Sequence, residues 1–469
     1  MPDGSLDAGA DAPVDSSPAE TFASLCTKHL DDPGMQAFVL EWSTLGIAGC
    51  EAIGEFLATQ TSLAFTFSVN RSVDPIGLLR FRPWRITNTV VAALATQHQL
   101  DALVFENQPS ITDLSPLGKL PALSLLRVAG CGAHDFSFVR DLALGSLQIR
   151  NERVDSLAPL AGETQLFELV LVDTGNADLS AIADLIQLGS LTVNKNAVTS
   201  AAPLAGMTEL TRLSLDDNAI SDLAPLAGLT KLTGLSVRNN TVASIAVLAN
   251  LRKLETLALS NNRVTDLAPI AGLTGLTSLA IDQNAIASFA PLRDLVELTS
   301  LNLNRTGLTS LAAIAANTKI VSLFISDNPV TDLAALAQLA PLRVLTAERL
   351  TSGNTPFDVA TVATLTRLRS LAISGDKLTD LAVVDGMVDL EALIAPGNAI
   401  VDVAPAGKLA KLTRLELNQN LITNLDALAP LERLATFVVS GNLIDAAHCP
   451  VAPIAKSAVL STFCTALGR

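Results

Sequence analysis

The chain has 469 residues, of which 49% are hydrophobic, and its 46 acidic and 31 basic residues give a formal net charge of −15. This charge disfavours polyanionic partners such as nucleic acid and anionic membrane surfaces, and it favours a basic or polar partner. The apolar residues recur every two or three positions, so no run reaches the roughly 18 residues that a membrane-spanning helix needs. Leu and Ala dominate and Tyr is absent, which favours many similar layers over one irregular core.

The first 20 residues are acidic and rich in Ala, Ser and Pro. Such a segment cannot bury enough apolar surface to fold, so we predict a disordered acidic tether over 1–20. The segment also lacks the apolar stretch of a signal peptide. Two alternatives follow: the chain is cytoplasmic, or it is exported and its signal has been removed.

Residues 21–99 precede the regular part of the chain, and we predict a helical or mixed amino-terminal cap there. This segment contains a single basic and aromatic cluster, RFRPWR over 80–85. Basic residues interleaved with aromatic ones can bind single-stranded nucleic acid. One short cluster is weak evidence for that function, so we interpret Phe81 and Trp84 as side chains that cover the first coil, and we predict no nucleic-acid binding.

From Leu100 to about Asp445 the sequence repeats with a period of 22 residues, and the unit is L-x-x-L-x-L-x-x-N-x-I. Its apolar residues alternate with period two around L-x-L, as a strand requires, whereas helical solenoids need units of about 30 residues or more. Many units carry Pro seven residues after the Asn position. We therefore predict about sixteen stacked units of parallel strands over 100–445, joined by short 3₁₀ or extended segments that are often opened by an Asp.

The Asn of the unit forms a regular series, which comprises Asn196, Asn218, Asn240, Asn262, Asn284, Asn328, Asn398, Asn420 and Asn442. Its amide can donate to and accept from main-chain groups of neighbouring coils, so we interpret the series as a structural ladder rather than a ligand site. The same register places Gln108, Cys131, Glu152 and Thr174 in the earlier units. We interpret Cys131 as a small buried residue and not as a nucleophile.

The repeated N-x-I-x-D-L-x-P-L-x-x-L-T-x-L resembles the 22-residue leucine-rich repeats of the internalin family of bacterial surface proteins, over about three quarters of the chain. The same short unit occurs in intracellular repeat proteins that regulate phosphatases. The resemblance implies an α/β solenoid: a leucine-rich-repeat arc with a parallel β-sheet on the concave face, short 3₁₀ or extended segments on the convex face, and a cap at each end. It also implies that the concave face binds a partner protein.

On the concave face we expect a polar, mixed-charge strip at the two positions before each ladder residue. This strip and the one aromatic side chain in the middle of the array are our candidate partner-binding residues: Arg150, Asn194, Lys195, Asp216, Asp217, Arg238, Asn239, Ser260, Asp282, Asn304, Arg305 and Phe324. The interval from Asn328 to Asn398 is 70 residues, three periods plus four. A short insertion near 350–357 is therefore a second candidate contact, with a tolerated surface bulge as the alternative.

Four of the five Cys residues flank the repeats, Cys26 and Cys50 before them and Cys449 and Cys464 after them. Leucine-rich-repeat ectodomains often close their ends with Cys-rich caps, and this similarity implies two capping disulfides, with a carboxy-terminal cap over 446–469. Such disulfides would place the protein in an oxidising compartment. Four reduced thiols in a cytoplasmic protein are the alternative.

The sequence contains no zinc-ligand spacing around its four His residues, no phosphate-binding loop and no nucleophile elbow. We therefore expect a non-catalytic protein without metal or cofactor. Together with the flanking cysteines, the resemblance to internalins implies an extracytoplasmic bacterial recognition or scaffold protein, secreted or tethered to the cell surface, and we expect it to be a monomer. The alternative is an intracellular regulatory subunit that binds and controls an enzyme.

Overall fold

The computed structural model describes residues 21–33, 35–36, 38–39, 48–60, 62–66, 79–81, 86–350 and 358–468, with the backbone alone at 62–66 and 79–81. The predicted tether over 1–20, the side chains of the RFRPWR cluster and the insertion over 351–357 lie outside the described residues. The chain divides into two compact units, residues 1–159 and 160–469. They are called unit 1 and unit 2 and are described separately.

Unit 1 has, among its described residues, three named helices and five parallel strands in the order β2–β1–β3–β4–β5. The helices are α1 (Phe22–Lys28), α2 (Cys50–Leu57) and α3 (Asn88–Leu94). The strands are β1 (Ser62–Thr66), β2 (Leu79–Phe81), β3 (Ala102–Glu106), β4 (Leu125–Ala129) and β5 (Ser146–Arg150). Helix α1 packs against α2, and a disulfide between Cys26 and Cys50 joins them, so strands and helices both occur in the segment predicted as the cap.

Unit 2 contains thirteen parallel strands among its described residues, and they pair in chain order. They are β6 (Glu168–Val172), β7 (Ser190–Asn194), β8 (Arg212–Ser214), β9 (Gly234–Ser236), β10 (Thr256–Ala258), β11 (Ser278–Ala280), β12 (Ser300–Asn302), β13 (Ser322–Phe324), β14 (Val344–Thr346), β15 (Ser370–Ala372), β16 (Ala392–Ile394), β17 (Arg414–Glu416) and β18 (Thr436–Val438). The predicted parallel-strand repeat fold is confirmed.

Identical positions of successive units stack on one another, because each coil advances the chain by one period. Leu213, Leu235 and Leu257 pair directly across β8, β9 and β10, and each is 2% exposed. A fully buried leucine stabilises the fold by about 1.5–3 kcal/mol relative to an exposed one. One coil alone leaves these side chains open to water, so stability comes from stacking coils.

The return path of each coil is short, as predicted. Its 3₁₀ helices are Ser115–Lys119 and Ser137–Asp141 in unit 1, Ala158–Leu160 at the boundary, and Ser180–Ile182, Ala202–Leu204, Ala224–Gly228, Ala246–Asn250, Ala268–Ile270, Ala290–Asp294, Ala312–Ile314, Ala334–Gln338, Ala382–Val384, Asp426–Leu428 and Ala446–His448 in unit 2. Two coils use α-helical turns instead, α4 (Val359–Ala363) and α5 (Ala404–Gly407). The predicted role of Asp is confirmed at Asp222, whose Oδ1 accepts a hydrogen bond from the Ala224 N–H at 2.8 Å.

The Asn ladder is structural, as its spacing predicts. The Asn240 amide donates from Nδ2 to the carbonyl oxygens of Leu215, Val237 and Arg238 at 2.9, 3.1 and 2.9 Å, and its Oδ1 accepts from the Ile220 N–H at 2.9 Å. One buried side chain thereby satisfies main-chain groups of its own coil and of the preceding one.

The last helix of unit 2, α6 (Ala458–Ala466), lies against β18. A disulfide joins Cys449 to Cys464, and the Ser457 hydroxyl donates to the Leu434 carbonyl oxygen at 2.8 Å. Phe463 meets Phe437 of β18 edge-on, with ring centroids 5.3 Å apart. Both predicted disulfides are thus present in the structure.

Candidate interaction surface

Each coil of unit 2 turns three side chains outward from its sheet, six, four and two residues before the ladder position. We call the sets the first, central and last rows, and together they form the strand face. In the coil of β8 the rows are Arg212, Ser214 and Asp216, which alternate with the buried Leu213 and Leu215. This period-two alternation follows from the pleat of a strand.

Small side chains leave an open groove of about 410 Å³ on the strand face over β7–β11. Its small members are Ser190, Thr192, Ser214, Gly234, Ser236, Thr256, Ala258, Ser278 and Ala280. Packing favours glycine at position 234, because a Cβ there would lie only 3.1 Å from the Thr256 Oγ1. With side chains this short, the backbone of a bound partner can approach the sheet closely.

The last row is held in place by hydrogen bonds between coils. Asp216 Oδ1 accepts from the Ser236 hydroxyl at 2.6 Å and from the Arg238 N–H at 2.7 Å. The Ser260 hydroxyl donates to Asp282 Oδ1 at 2.5 Å. These side chains are half-buried and already hydrogen-bonded. They therefore form an ordered rim of the groove and are less available than exposed side chains to bind a partner.

The residue directly before each ladder position forms a fourth set, the edge row. Asp217, Asn239 and Arg305 have φ of 57°, 54° and 56°, a left-handed conformation in which Asn and Asp are enriched. Their side chains are exposed, and the Asn239 amide donates to Asp217 Oδ1 at 2.7 Å. The edge row therefore carries its own exposed polar network beside the groove.

Two arginines in the groove, Arg212 and Arg238, are exposed, and neither makes an ion pair within the described part of the chain. Farther along unit 2, Arg305 and Arg349 are both engaged, because they contact opposite oxygens of Asp327 at 2.9 and 2.6 Å. The Arg349 hydrogen bond is the main reason that the pKa of Asp327 lies below its usual value. Arg212 and Arg238 are thus the groove cations available to a partner.

The structure brings most of the predicted partner-binding residues together on unit 2. The last row contains Asn194, Asp216, Arg238, Ser260, Asp282 and Asn304, and the edge row contains Lys195, Asp217, Asn239 and Arg305. Phe324 is half-buried in the central row of β13, and Arg150 ends β5 in unit 1. The edge-row members are exposed as expected, whereas the last-row members, Arg238 excepted, are half-buried.

Sequence reasoning missed the first row and, apart from Phe324, the central row, and with them Arg212 and the small residues of the groove. The signal was available in the alternation that identified the strands. A strand that turns the two leucines of L-x-L inward turns the residue between them, and the residue before them, outward.

The buried titratable groups of unit 1 lie at ladder positions. Cys131 is partly buried, and burial raises the pKa of its thiol to about 12, which keeps it protonated at neutral pH. The Cys131 N–H donates to a carboxylate oxygen of Glu152, the next ladder residue. Among the residues that the structure describes, no three His, Cys, Asp or Glu side chains are grouped to hold a metal ion.

Unit 1 also has an open cleft of about 1190 Å³ between its helices and the first 3₁₀ segment. Its lining mixes Phe22 and several alanines with Glu51, Glu55, His98 and Lys119. In the described residues, no helix has the length and apolar character to cross a bilayer.

Comparison with known proteins agrees with this geometry. A family model for leucine-rich repeats, spanning two copies, matches residues 252–294. The crystal structure of internalin F from Listeria monocytogenes superposes with a TM-score of 0.58 and 28% identity, covering 68% of this chain and 88% of the internalin.

Two further structures show the same fold at lower identity. The functional domain of InlJ from Listeria monocytogenes has a TM-score of 0.56 and 21% identity, with 72% of each chain covered. A leucine-rich-repeat protein of Leptospira interrogans has a TM-score of 0.57 and 19% identity, covering 84% of this chain and 93% of its own. No curated protein sequence matches the chain.

Proposed function

We propose that this chain, a leucine-rich-repeat protein structurally similar to the Listeria internalins, is a non-catalytic recognition protein that binds a partner protein through the strand face of unit 2. The observation that carries the proposal is the groove over β7–β11, where an ordered polar rim borders outward-facing side chains no larger than Thr, apart from Arg212, Asp216 and Arg238. A surface already fixed by hydrogen bonds loses little conformational freedom on binding.

Within this groove we propose that Arg212 and Arg238 are the main anchors. Both are exposed and neither has an ion-pair partner in the described residues. Arg is enriched among the residues that dominate binding energies, and its planar guanidinium can hold a carboxylate with two hydrogen bonds. The small residues between them would accept an extended segment of the partner.

We place the protein outside the cytoplasm, secreted or held at a bacterial cell surface. The support is the pair of disulfides, Cys26–Cys50 and Cys449–Cys464, together with the similarity to internalin F. Disulfides persist in oxidising compartments and are rare in the cytosol. The segments 21–99 and 446–469 would serve as caps on the solenoid, and 1–20 as a tether.

A matched pair of tryptophan substitutions tests the binding surface. Ala280 lies in the central row of β11, and Ala290 lies on the 3₁₀ helix of the same coil, exposed on the opposite side. We expect Ala280→Trp to fill the groove and weaken binding to a partner captured on the wild-type chain at least tenfold, a loss of about 1.4 kcal/mol. Ala290→Trp, the control, should bind like the wild type in the same calorimetric titration.

Wild-type affinity in both variants would rule out the strand face as the interface, and a loss confined to Ala290→Trp would place the interface on the 3₁₀ side.

The proposed compartment is tested separately, by comparing digests of the natively isolated protein by mass spectrometry with and without reduction. Linked cysteine pairs are expected; free thiols throughout would support the intracellular regulatory subunit instead.

A further inference from the structure

The Asn ladder of unit 2 is interrupted between Asn328 and Asn398. Leu350 and Asp376 occupy the two intervening ladder positions, and 26 residues separate them where other neighbours are 22 apart. Leucine has no hydrogen-bonding group, and an ionised Asp can only accept. Neither side chain, in its usual state at neutral pH, can donate to main-chain carbonyl groups as the Asn amide does.

Asp376 retains the acceptor function of the ladder Asn but lacks its donor function. Its Oδ1 accepts a hydrogen bond from the Leu350 N–H at 3.0 Å, as Asn328 Oδ1 accepts from the Thr306 N–H at 3.0 Å. Its other oxygen, Oδ2, is buried and has no hydrogen-bond partner, and the residue is 2% exposed. This oxygen occupies the place that the side-chain amide nitrogen has in the Asn residues of the ladder.

The amide nitrogen would face acceptors at this place. Asn328 donates from Nδ2 to the carbonyl oxygens of Leu303 and Ile325, both at 2.8 Å. The pairing of β14 with β15 makes Ala347 and Ile373 the register equivalents of those two residues. A carboxylate oxygen placed among carbonyl oxygens is repelled, whereas a protonated carboxyl group can donate to one of them.

We propose that Asp376 is a proton-dependent ladder residue, which closes the junction between the coils of β14 and β15 when its carboxyl group is protonated and loosens that junction when it is ionised. Protonation makes Oδ2 a hydroxyl donor and restores one of the two donor bonds of the Asn amide. Among the described residues, ionisation leaves a buried charge without a counterion in direct contact and leaves the Ala347 carbonyl group without a donor, whereas the Ile373 carbonyl oxygen still accepts from Asn398 Nδ2 at 2.9 Å.

The charged groups around Asp376 oppose one another. Among the described residues, Glu348 and Arg349 approach from the coil of β14, Lys377 follows in the chain, and the coil of β16 presents the uncharged Asn398. Arg349 is engaged by Asp327 at 2.6 Å. Burial is the main reason that the pKa of Asp376 rises to about 7, and the Glu348 charge acts in the same direction.

The sign of the pH dependence follows from this pKa. The carboxyl group holds its proton more tightly in the folded chain than in the unfolded one, where its pKa is about 3.9. The stabilisation is therefore complete in acid and is lost as the pH rises from about 4 to about 7. The junction should be closed at pH 5 and loosened at pH 8.

The test is amide hydrogen exchange, by mass spectrometry, of the full chain and of its D376N variant at pH 5 and pH 8. Asn supplies the missing donor at any pH. At pH 8 only about a tenth of the Asp376 carboxyl groups would keep the proton, because their pKa is about 7. We therefore expect exchange in 344–350 and 370–376 at pH 8 to be about tenfold slower in D376N than in the wild type. At pH 5 the two proteins should exchange alike, and the coils of β9–β11 should be unaffected at both pH values.

The reciprocal variant places an Asp in an intact part of the ladder. Asn420 is 4% exposed and donates to the Ala395 and Leu417 carbonyl oxygens at 3.0 Å. N420D should exchange faster than the wild type around β17, and by a larger factor at pH 8 than at pH 5. The proposal is overturned if D376N exchanges like the wild type at pH 8, or if the two differ by the same factor at both pH values.

Discussion

At the scale of single residues, the repeat depends on polar side chains that satisfy buried main-chain groups. Asn240 makes three donor contacts and accepts one main-chain N–H. Asn240→Ala should lower the free energy of unfolding by about 2–4 kcal/mol, because it leaves several buried groups without partners. Denaturant unfolding measures the loss, with Asn250→Ala on an exposed 3₁₀ position as the control. An effect as small as that of the control would contradict the structural role of the ladder.

In unit 1, the ladder residue Glu152 is a buried carboxylic acid. Glu152 is 2% exposed, and burial is the main reason that its pKa rises to about 7. The folded form thus favours the protonated carboxyl group, so its stabilisation is lost as the pH rises from about 4.3 to about 7. Glu152→Gln keeps an oxygen for the Cys131 N–H and removes the titration. The melting temperature of this variant should exceed that of the wild type at pH 8 and match it at pH 5; an equal difference at both pH values would exclude the role of Glu152.

At the scale of elements, the repeated sequence positions predicted the strands and the 3₁₀ segments, but not the contacts that form between neighbouring coils. The spacing of Leu and Asn identified the strands, and Pro and Asp identified the 3₁₀ returns, because each is dictated by local backbone chemistry. The sequence also places the candidate site mainly at the two positions before each ladder residue, which are the last row and the edge row. The left-handed backbone of the edge row, as at Asp217, and the hydrogen bonds that half-bury the last row depend on neighbouring coils, which one unit of sequence does not reveal.

The carboxy-terminal helix offers a test at this scale. The disulfide from Cys449 to Cys464 closes a loop with a sequence separation of 15 and ties α6 to the segment after the last repeat, as a cap would require. A loop of this length contributes about 3 kcal/mol when cross-linked. In the Cys449→Ser, Cys464→Ser double variant, we expect faster amide exchange in β17 and β18 and unchanged exchange in β8–β10. Uniform exchange along unit 2 would show that α6 does not act as a cap.

At the scale of the whole molecule, the two units share one principle, the stacking of short coils on buried leucines, and unit 2 presents the polar last row and edge row on one side of its strands. The formal net charge of −15 favours basic or polar partners at long range. Under the proposed function, the groove cations Arg212 and Arg238 would act at contact distance instead, where hydrogen-bond geometry decides. Arg238→Glu should therefore weaken partner binding more than Arg252→Glu, a change outside the groove, in the same titration. Equal losses would indicate that only overall charge matters.

The most direct measurement of the recognition function is a hydrogen-exchange footprint of the chain with and without its captured partner. We predict that exchange slows in the strands and edge row over 190–283, while the 3₁₀ helices of the same coils exchange at the rates of the free chain. Protection confined to those 3₁₀ helices, or to 21–99, would contradict it and place the interface elsewhere on the molecule.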